Sequence, residues 1–190
     1  MNTNFSIRMA TEDDAGKILE IYAPYIINTA ITFEYEIPAI AEFSKRIKNT
    51  LQKYPYLVSV EEDRIVGYAY ASAFRERPAY NRAAETTIYL KQDYRGVGIG
   101  RMLYHSLGEI LKCQNVINLY AGVAFTATED AHLDNSSMLF HEHSGYSRVA
   151  HFTKCGYKFN KWYDVIWMEK MLGNHPDMPN PFIPISEIQI

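Results

Sequence analysis

Cysteine is scarce in this chain: two residues in 190, Cys113 and Cys155, too few for a disulfide framework and without the paired spacing of a metal site. No apolar run is long enough to cross a bilayer, and the N-terminus lacks the apolar stretch of an export signal. A basic surplus is missing too. Lys and Arg number 19 against 22 Asp and Glu, a net charge of −3, which argues against a nucleic-acid partner held through backbone phosphates. His132, His141 and His143 have no ligand spacing of a common metal site, so no metal is expected. Internal repeats are absent. These absences predict a reduced, cytoplasmic protein that neither spans a membrane nor binds nucleic acid.

What is present fits one globular domain with a substantial core: 47% hydrophobic and 22% charged residues. Fifteen tyrosines are many, and place aromatic rings either along a site or at the edges of the core. Strands are expected at Phe5 to Met9, Tyr56 to Val60, Ile65 to Phe74, Glu85 to Leu90, Val116 to Val123 and Tyr163 to Lys170. Thr11 with Asp14 forms a capping box before a helix whose apolar face is Ala15, Ile18, Leu19 and Tyr22. Further helices are expected at Phe43 to Leu51 and Ser136 to Ser144. Phe74 to Arg82 reads as a loop, Phe125 to Leu133 as an insertion without period, and the Pro-rich tail 173–190 as irregular. Alternating strands and helices around one sheet give an α/β (α+β) class fold over residues 1–172.

The most informative run is Gln92-Asp93-Tyr94-Arg95-Gly96-Val97-Gly98-Ile99-Gly100-Arg101. It follows an apolar strand and opens a helix carrying Leu103, Leu107, Ile110 and Leu111 on one face. Glycine at every second position lets the backbone turn sharply and come close to a ligand. The helix start then offers free N–H groups and the positive end of its dipole to an anion. No Gly-Lys-Ser/Thr follows, so this is not a P-loop. Its glycine spacing also departs from the dinucleotide fingerprint, which wants an acidic residue about 20 residues on.

Arg95-Gly96-x-Gly98-x-Gly100 resembles the coenzyme A pyrophosphate loop of the GCN5-related N-acetyltransferases (GNAT). The chain is similar to one branch in particular, the phosphinothricin and methionine sulfoximine/sulfone acetyltransferases. The segments that carry this are Ile7-Arg8-x-Ala10-Thr11-Glu12-x-Asp14-Ala15, Thr32-Phe33-Glu34, Val66-Gly67-Tyr68-Ala69 and Phe74-Arg75-x-Arg77-Pro78-Ala79-Tyr80. Glu85-x-x-Ile88-Tyr89-Leu90, Leu139-Phe140-His141-Glu142-x-x-Gly145-Tyr146 and Gly156-Tyr157-Lys158-Phe159-x-x-Trp162-x-Asp164 continue it. The resemblance implies a central mixed, mostly antiparallel sheet flanked by helices, with acetyl-CoA as cosubstrate and a homodimer as the assembly. It implies that Arg95, Gly96, Val97, Gly98, Ile99, Gly100 and Arg101 hold the pyrophosphate, and that the backbone of Ile88, Tyr89 and Leu90 pairs with the pantetheine arm. Relatives carry an Asn three residues before a Ser in the next motif. Here Asp134 stands three before Ser137 with Asn135 beside it, so the coenzyme contact falls to Asn135 or Asp134.

The same resemblance places the catalytic base at Glu85, a carboxylate able to take the amine's proton if burial lifts its pKa. His141 stands where relatives carry the acid that protonates departing coenzyme A. Arg75 and Arg77 are paired cations, on one side if the backbone there is extended, suited to gripping carboxylate, phosphinate or sulfonyl oxygens. Phe33 and Tyr80 are expected to wall the pocket. The resemblance adds Glu76, Thr86 and Thr87 to the substrate contacts, and Lys158 and Trp162 as contributions from a neighbouring subunit. The activity this predicts is acetylation of the α-amine of phosphinothricin, methionine sulfoximine or methionine sulfone. The alternatives are acetylation of a protein N-terminus or lysine, and a coenzyme A-binding sensor without turnover.

Overall fold

Asp14 fixes how the chain leaves its first strand. Its carboxylate accepts two hydrogen bonds from the Arg8 guanidinium (2.7 and 2.8 Å) and one from the Thr11 N–H (2.8 Å), closing the expected capping box. The Arg8 hydrogen bonds hold Asp14 below the usual carboxylate range, although burial works against them. In this computed structural model, which describes residues 5–188, that capped start leads from β1 (Ser6–Met9) into α1 (Ala15–Asn28) and α2 (Ile40–Leu51). There follow β2 (Tyr56–Glu61), β3 (Arg64–Ala73), β4 (Ala83–Leu90), α3 (Ile99–Cys113), β5 (Asn118–Phe125), α4 (Ser136–His143), β6 (Ser147–Lys158) and β7 (Lys161–Met171). Residues 1–4 and 189–190, the outer ends of the two predicted segments, lie outside the described residues.

The strands form one seven-stranded sheet in the order β1-β2-β3-β4-β5-β7-β6, antiparallel except for the parallel pair β4–β5. This is the mixed, mostly antiparallel sheet that the resemblance implies. Strand β3 shows why its two faces differ: Tyr68-Ala69-Tyr70-Ala71 sends tyrosines to one side and alanines to the other. The tyrosine side, with Tyr56, Val58 and Tyr89, packs on Ile18, Tyr22 and Tyr25 of α1 and Phe43 and Ile47 of α2. The alanine side, with Leu119, Ala121, Ile166 and Met168, meets Leu103, Leu107 and Leu111 of α3. These three leucines are all but fully buried, and truncating any of them costs about 2–5 kcal/mol.

Sequence reasoning missed β6. The strand is exposed at every position from Ser147 to Cys155 and lies at the sheet edge. With neither face buried, no alternation of apolar and polar residues marks it. A tight turn at Phe159 and Asn160 (φ 50° and 57°) joins it to β7. The tail is irregular, as expected, yet docked. Gln114, at the end of α3, donates through Nε2 to Ile183 C=O (2.9 Å) and Lys53 C=O (2.6 Å), while Arg82 donates to Asn180 and Pro179 carbonyls. Among the described residues no helix is long and apolar enough to cross a membrane.

Candidate active site

The site is built where the sheet comes apart. Strands β4 and β5 pair only over Ala83–Glu85 and Asn118–Tyr120. Beyond that point they diverge, and the backbone of β4 loses a partner on one side. Lys91 N–H bonds Val66 C=O (2.9 Å), so alternation gives β3 the backbone groups of Glu85, Thr87 and Tyr89. Those of Ile88 and Leu90 turn toward the fork, free to add a strand-like ligand; of these, the Leu90 C=O accepts from the Tyr25 hydroxyl (2.6 Å). Tyr89 departs from expectation. Its backbone serves β3 and its ring packs edge-on to Tyr22 and Tyr25, so it faces away from the fork.

The wedge that opens the fork is Thr86. Its hydroxyl donates to the Tyr120 C=O (3.2 Å) and accepts from the Tyr146 hydroxyl (2.9 Å). The side chain is 4% exposed and lies in the α3 layer, which corrects its expected place among substrate contacts. Thr87 is on the opposite, tyrosine-lined face beside Tyr70.

At the fork's end the glycine loop behaves as its spacing predicts. Gly96 and Gly98 have φ of +80° and +94°, in the left-handed region that disfavours other residues, and open space lies where a Cβ would stand. Gly98 caps α3, whose first turn points its free N–H groups at the loop. Gly100 is a packing glycine: a Cβ there would stand 2.9 Å from the Phe140 ring. Val97 and Arg101 are exposed and Ile99 is fully buried. The Arg95 guanidinium lies over the Tyr25 ring, 5.6 Å from its centroid. The open loop, the helix start and the unpartnered β4 backbone fit a pyrophosphate followed by an extended amide-bearing arm.

Asn135 does not face that cradle freely. Its amide donates to the Thr126 C=O (3.0 Å) and its carbonyl accepts from Thr126 N–H (3.4 Å), closing the inserted loop. Asp134 is engaged by the Ser136 backbone N–H (3.0 Å) and hydroxyl, which hold its pKa down. Both residues between which the sequence left the coenzyme contact open are therefore committed to the start of α4. Ser137, the second residue of α4, is half-buried, and its C=O accepts from His141 Nδ1.

Glu85 projects onto the tyrosine-lined face, on the open side of the fork. Its Oε1 is 3.9 Å from where a Cβ on Gly122 of β5 would stand, and the Trp167 ring of β7 lies 3.8 Å from the same point. Burial raises the Glu85 pKa above its ordinary value, and the Arg75 charge partly offsets this. Arg75 is held by stacking. Its guanidinium lies 4.5 Å from the Phe74 ring centroid and 6.0 Å from that of Trp167, and it donates to the Phe74 C=O (2.8 Å). Carboxylate, cation and aromatic floor therefore share one face.

Arg77 and Glu76 do not join them. The backbone bends at 74–77 instead of running extended, so the premise that placed Arg75 and Arg77 on one side fails, and both Glu76 and Arg77 are exposed. Tyr80 is 42% exposed; its ring packs edge-on to Phe74, the ring under Arg75 (centroids 6.1 Å), and it lines an adjoining cleft of about 310 Å³ with Phe74, His175 and Pro179. Phe33 packs on Gly156 at the end of β6. Lys158 is buried within its own chain, and Trp162 is 56% exposed. Trp167 and Gly122 were not anticipated; only strand register places them beside Glu85.

His141 overturns a further expectation. It is 4% exposed. Its Nδ1 lies 2.7 Å from the Ser137 C=O, which can only accept, so Nδ1 carries the hydrogen. Nε2 then accepts from the Tyr104 hydroxyl (2.8 Å). Burial lowers the His141 pKa, and a neutral ring with both nitrogens engaged has no proton to give a leaving group. It positions Tyr104. Because the folded state disfavours the protonated ring, the stability this neutral ring contributes is present above its unfolded pKa of about 6.5 and is lost as pH falls from there through the lowered folded value. His141→Gln is accordingly expected to flatten the loss of melting temperature between pH 7 and 5, while kcat stays within about tenfold of wild type. A larger loss of rate would restore the acid role.

The GNAT acetyltransferase domain profile matches residues 7–167. The chain belongs to the GNAT acetyltransferase family. It is similar to a phosphinothricin N-acetyltransferase of Streptomyces coelicolor, 32% identical over 170 residues that span 87% of this GNAT chain and 95% of the relative. An L-methionine sulfoximine/L-methionine sulfone acetyltransferase of Salmonella typhimurium is 27% identical over 172 residues, 90% of this chain and 96% of that one. The crystal structure of a GNAT superfamily phosphinothricin acetyltransferase from Sinorhizobium meliloti in complex with AcCoA superposes with a TM-score of 0.85 at 30% identity, covering 96% and 97% of the two chains. This GNAT enzyme is thus an N-acetyltransferase by family, and acetyl-CoA is the family's acetyl donor.

Proposed function

We propose that this enzyme moves the acetyl group of acetyl-CoA to the α-amine of a small amino-acid analogue: phosphinothricin, methionine sulfoximine or methionine sulfone. The observation that carries the reading is the pairing of a half-buried carboxylate with a stacked, solvent-reachable guanidinium on one face at the fork. A zwitterionic acceptor fits that pair, its carboxylate on Arg75 and its amine at Glu85. The backbone N–H groups of Ile88 and Leu90 hold the donor's extended arm and offer hydrogen bonds to the carbonyl oxygen as charge builds on it. The pyrophosphate lies on Gly96 to Gly100 at the start of α3, with Arg95 and Arg101 at its edges.

Glu85 first takes a proton from the acceptor's ammonium, directly or through a water, which frees the nitrogen lone pair. The neutral amine attacks the thioester carbon, the C–S bond breaks, and the nitrogen sheds its second proton to solvent as the amide forms. Coenzyme A leaves as a thiolate, a far better leaving group than the amine that displaces it, so departure needs no obligatory acid and the sulfur collects a proton from solvent. We also propose a homodimer joined through β6, because this edge strand exposes Val149 (51%), Phe152 (50%) and Tyr157 (43%), the last packed on the exposed Trp162 ring, with no covering element among the described residues. Two exposed free cysteines fit a reducing cytoplasm.

Thiol release from acetyl-CoA, followed with the three analogues, ordinary amino acids, polyamines and a peptide panel, tests the reaction. Saturable turnover with the analogues is expected. Activity confined to peptides would move the assignment to protein acetylation, and donor binding without turnover on any acceptor would move it to a sensor.

A further inference from the structure

Between α1 and α2 runs the irregular segment 29–39, which carries Thr32, Phe33 and Glu34. Its Thr32 hydroxyl bonds the Tyr22 hydroxyl (2.7 Å), and Ile31 and Phe33 pack with the cluster that holds Ala124 of β5, two residues beyond Gly122 and so on the same face, which makes the segment a wall on Glu85's side of the sheet. A segment without a strand or helix ladder needs its position set from elsewhere. Three consecutive residues at the tip of the β6–β7 hairpin supply it.

Lys158 is 4% exposed, and its ammonium donates to the carbonyls of Ile26 (2.8 Å), Thr29 (2.9 Å) and Thr32 (2.8 Å). Three donors meet three acceptors, two at the end of α1 and one in the wall. A cation there also complements the negative end of the α1 dipole. The backbone C=O of Tyr157 accepts from the Tyr35 hydroxyl. Gly156 leaves room for Phe33: a Cβ would stand 2.3 Å from two of its ring carbons. Burial disfavours the protonated form of Lys158, and the charge of Glu34, in the same wall, works against that.

We propose that Gly156, Tyr157 and Lys158 form a clamp that positions the Thr32–Tyr35 wall, and so sets which amino-acid side chains the acceptor site admits. The inference rests on the acetyl-transfer reading above for its consequence, though not for its geometry. Lys158 is a positioning residue that reaches the acceptor through Thr32. The Gly156 contact is the more useful handle, because the atoms a methyl group displaces are the tip of a side chain and not backbone.

The test compares wild type with Gly156→Ala, Tyr35→Phe and Lys158→Met by two readouts. Amide hydrogen exchange without ligand is expected to quicken over residues 29–36 in all three and to stay unchanged over 85–101. In Gly156→Ala the acceptor KM is expected to rise about tenfold, with the acetyl-CoA KM within about twofold, the split that a displaced acceptor wall produces. Unchanged exchange over 29–36 would overturn the clamp, as would parallel rises in both Michaelis constants. Should Lys158→Met fail to fold, the two milder variants decide. If wild type acetylates no amino-acid acceptor, the functional reading falls alone, and the exchange data still judge the clamp.

Discussion

Glu85→Gln is expected to lower kcat by about two to four orders of magnitude, the usual worth of a positioned general base. The acetyl-CoA KM should stay close to wild type, because the donor site proposed above uses β4 backbone and the glycine loop, none of which the substitution touches. Glutamine keeps the shape and the hydrogen-bonding reach of the side chain and removes only its proton affinity. The pH profile of kcat/KM sharpens the test. The base works ionised, so the wild-type rate falls as pH drops through the Glu85 pKa, which burial has raised above the ordinary carboxylate value. That acid limb should vanish in Glu85→Gln. A rate within threefold of wild type, or an acid limb that persists, removes Glu85 as the base (threefold is about 0.6 kcal/mol).

Arg75→Ala is expected to raise the KM for the amino acid by about 10- to 100-fold, the equivalent of one charge-assisted contact. The acetyl-CoA KM should barely move. The substitution has a second consequence of determinate sign. The Arg75 charge lowers the Glu85 pKa against the desolvation that raises it, so losing that charge leaves burial unopposed. The acid limb of kcat/KM therefore shifts to higher pH in Arg75→Ala. Arg75→Lys keeps the charge but not the planar fork or its stack on Phe74, and should leave the limb in place while still weakening the acceptor. Equal changes in both Michaelis constants would deny Arg75 its place at the acceptor. A limb shifted the other way would deny its coupling to Glu85.

Much of this architecture is written locally. The Thr11–Asp14 box, the turn at Glu62 and Asp63 (φ 46° and 66°) and the glycines at +80° and +94° are each forced by residues close in sequence. Alternation in β3 and helical spacing in α3 state which face is buried, and the glycine loop is readable because few other residues tolerate its backbone. Edges and long-range contacts are another matter. Strand β6 carries no hydrophobic period, since solvent lies on both its faces.

The residues around the acceptor divide along the same line. Glu85 and Arg75 were legible as chemistry, a carboxylate and a cation in recognisable motifs. Arg77 and Thr86 stand in the same motifs and go elsewhere, because a bend at 74–77 and the strand register decide which way each points. Trp167 and Gly122 reach Glu85 only through the β5–β7 pairing, 45 residues apart in the chain at Gly122↔Trp167. His141 looked like an acid until burial, Ser137 and Tyr104 fixed its tautomer. By itself, then, the sequence determined the fold class, the open glycine loop before α3 and the family, all properties of short-range backbone preference and local pattern. Which side chains share a face, which protons are free to move and what holds the acceptor wall were decided by tertiary structure alone, because each depends on burial and on partners brought together from distant strands.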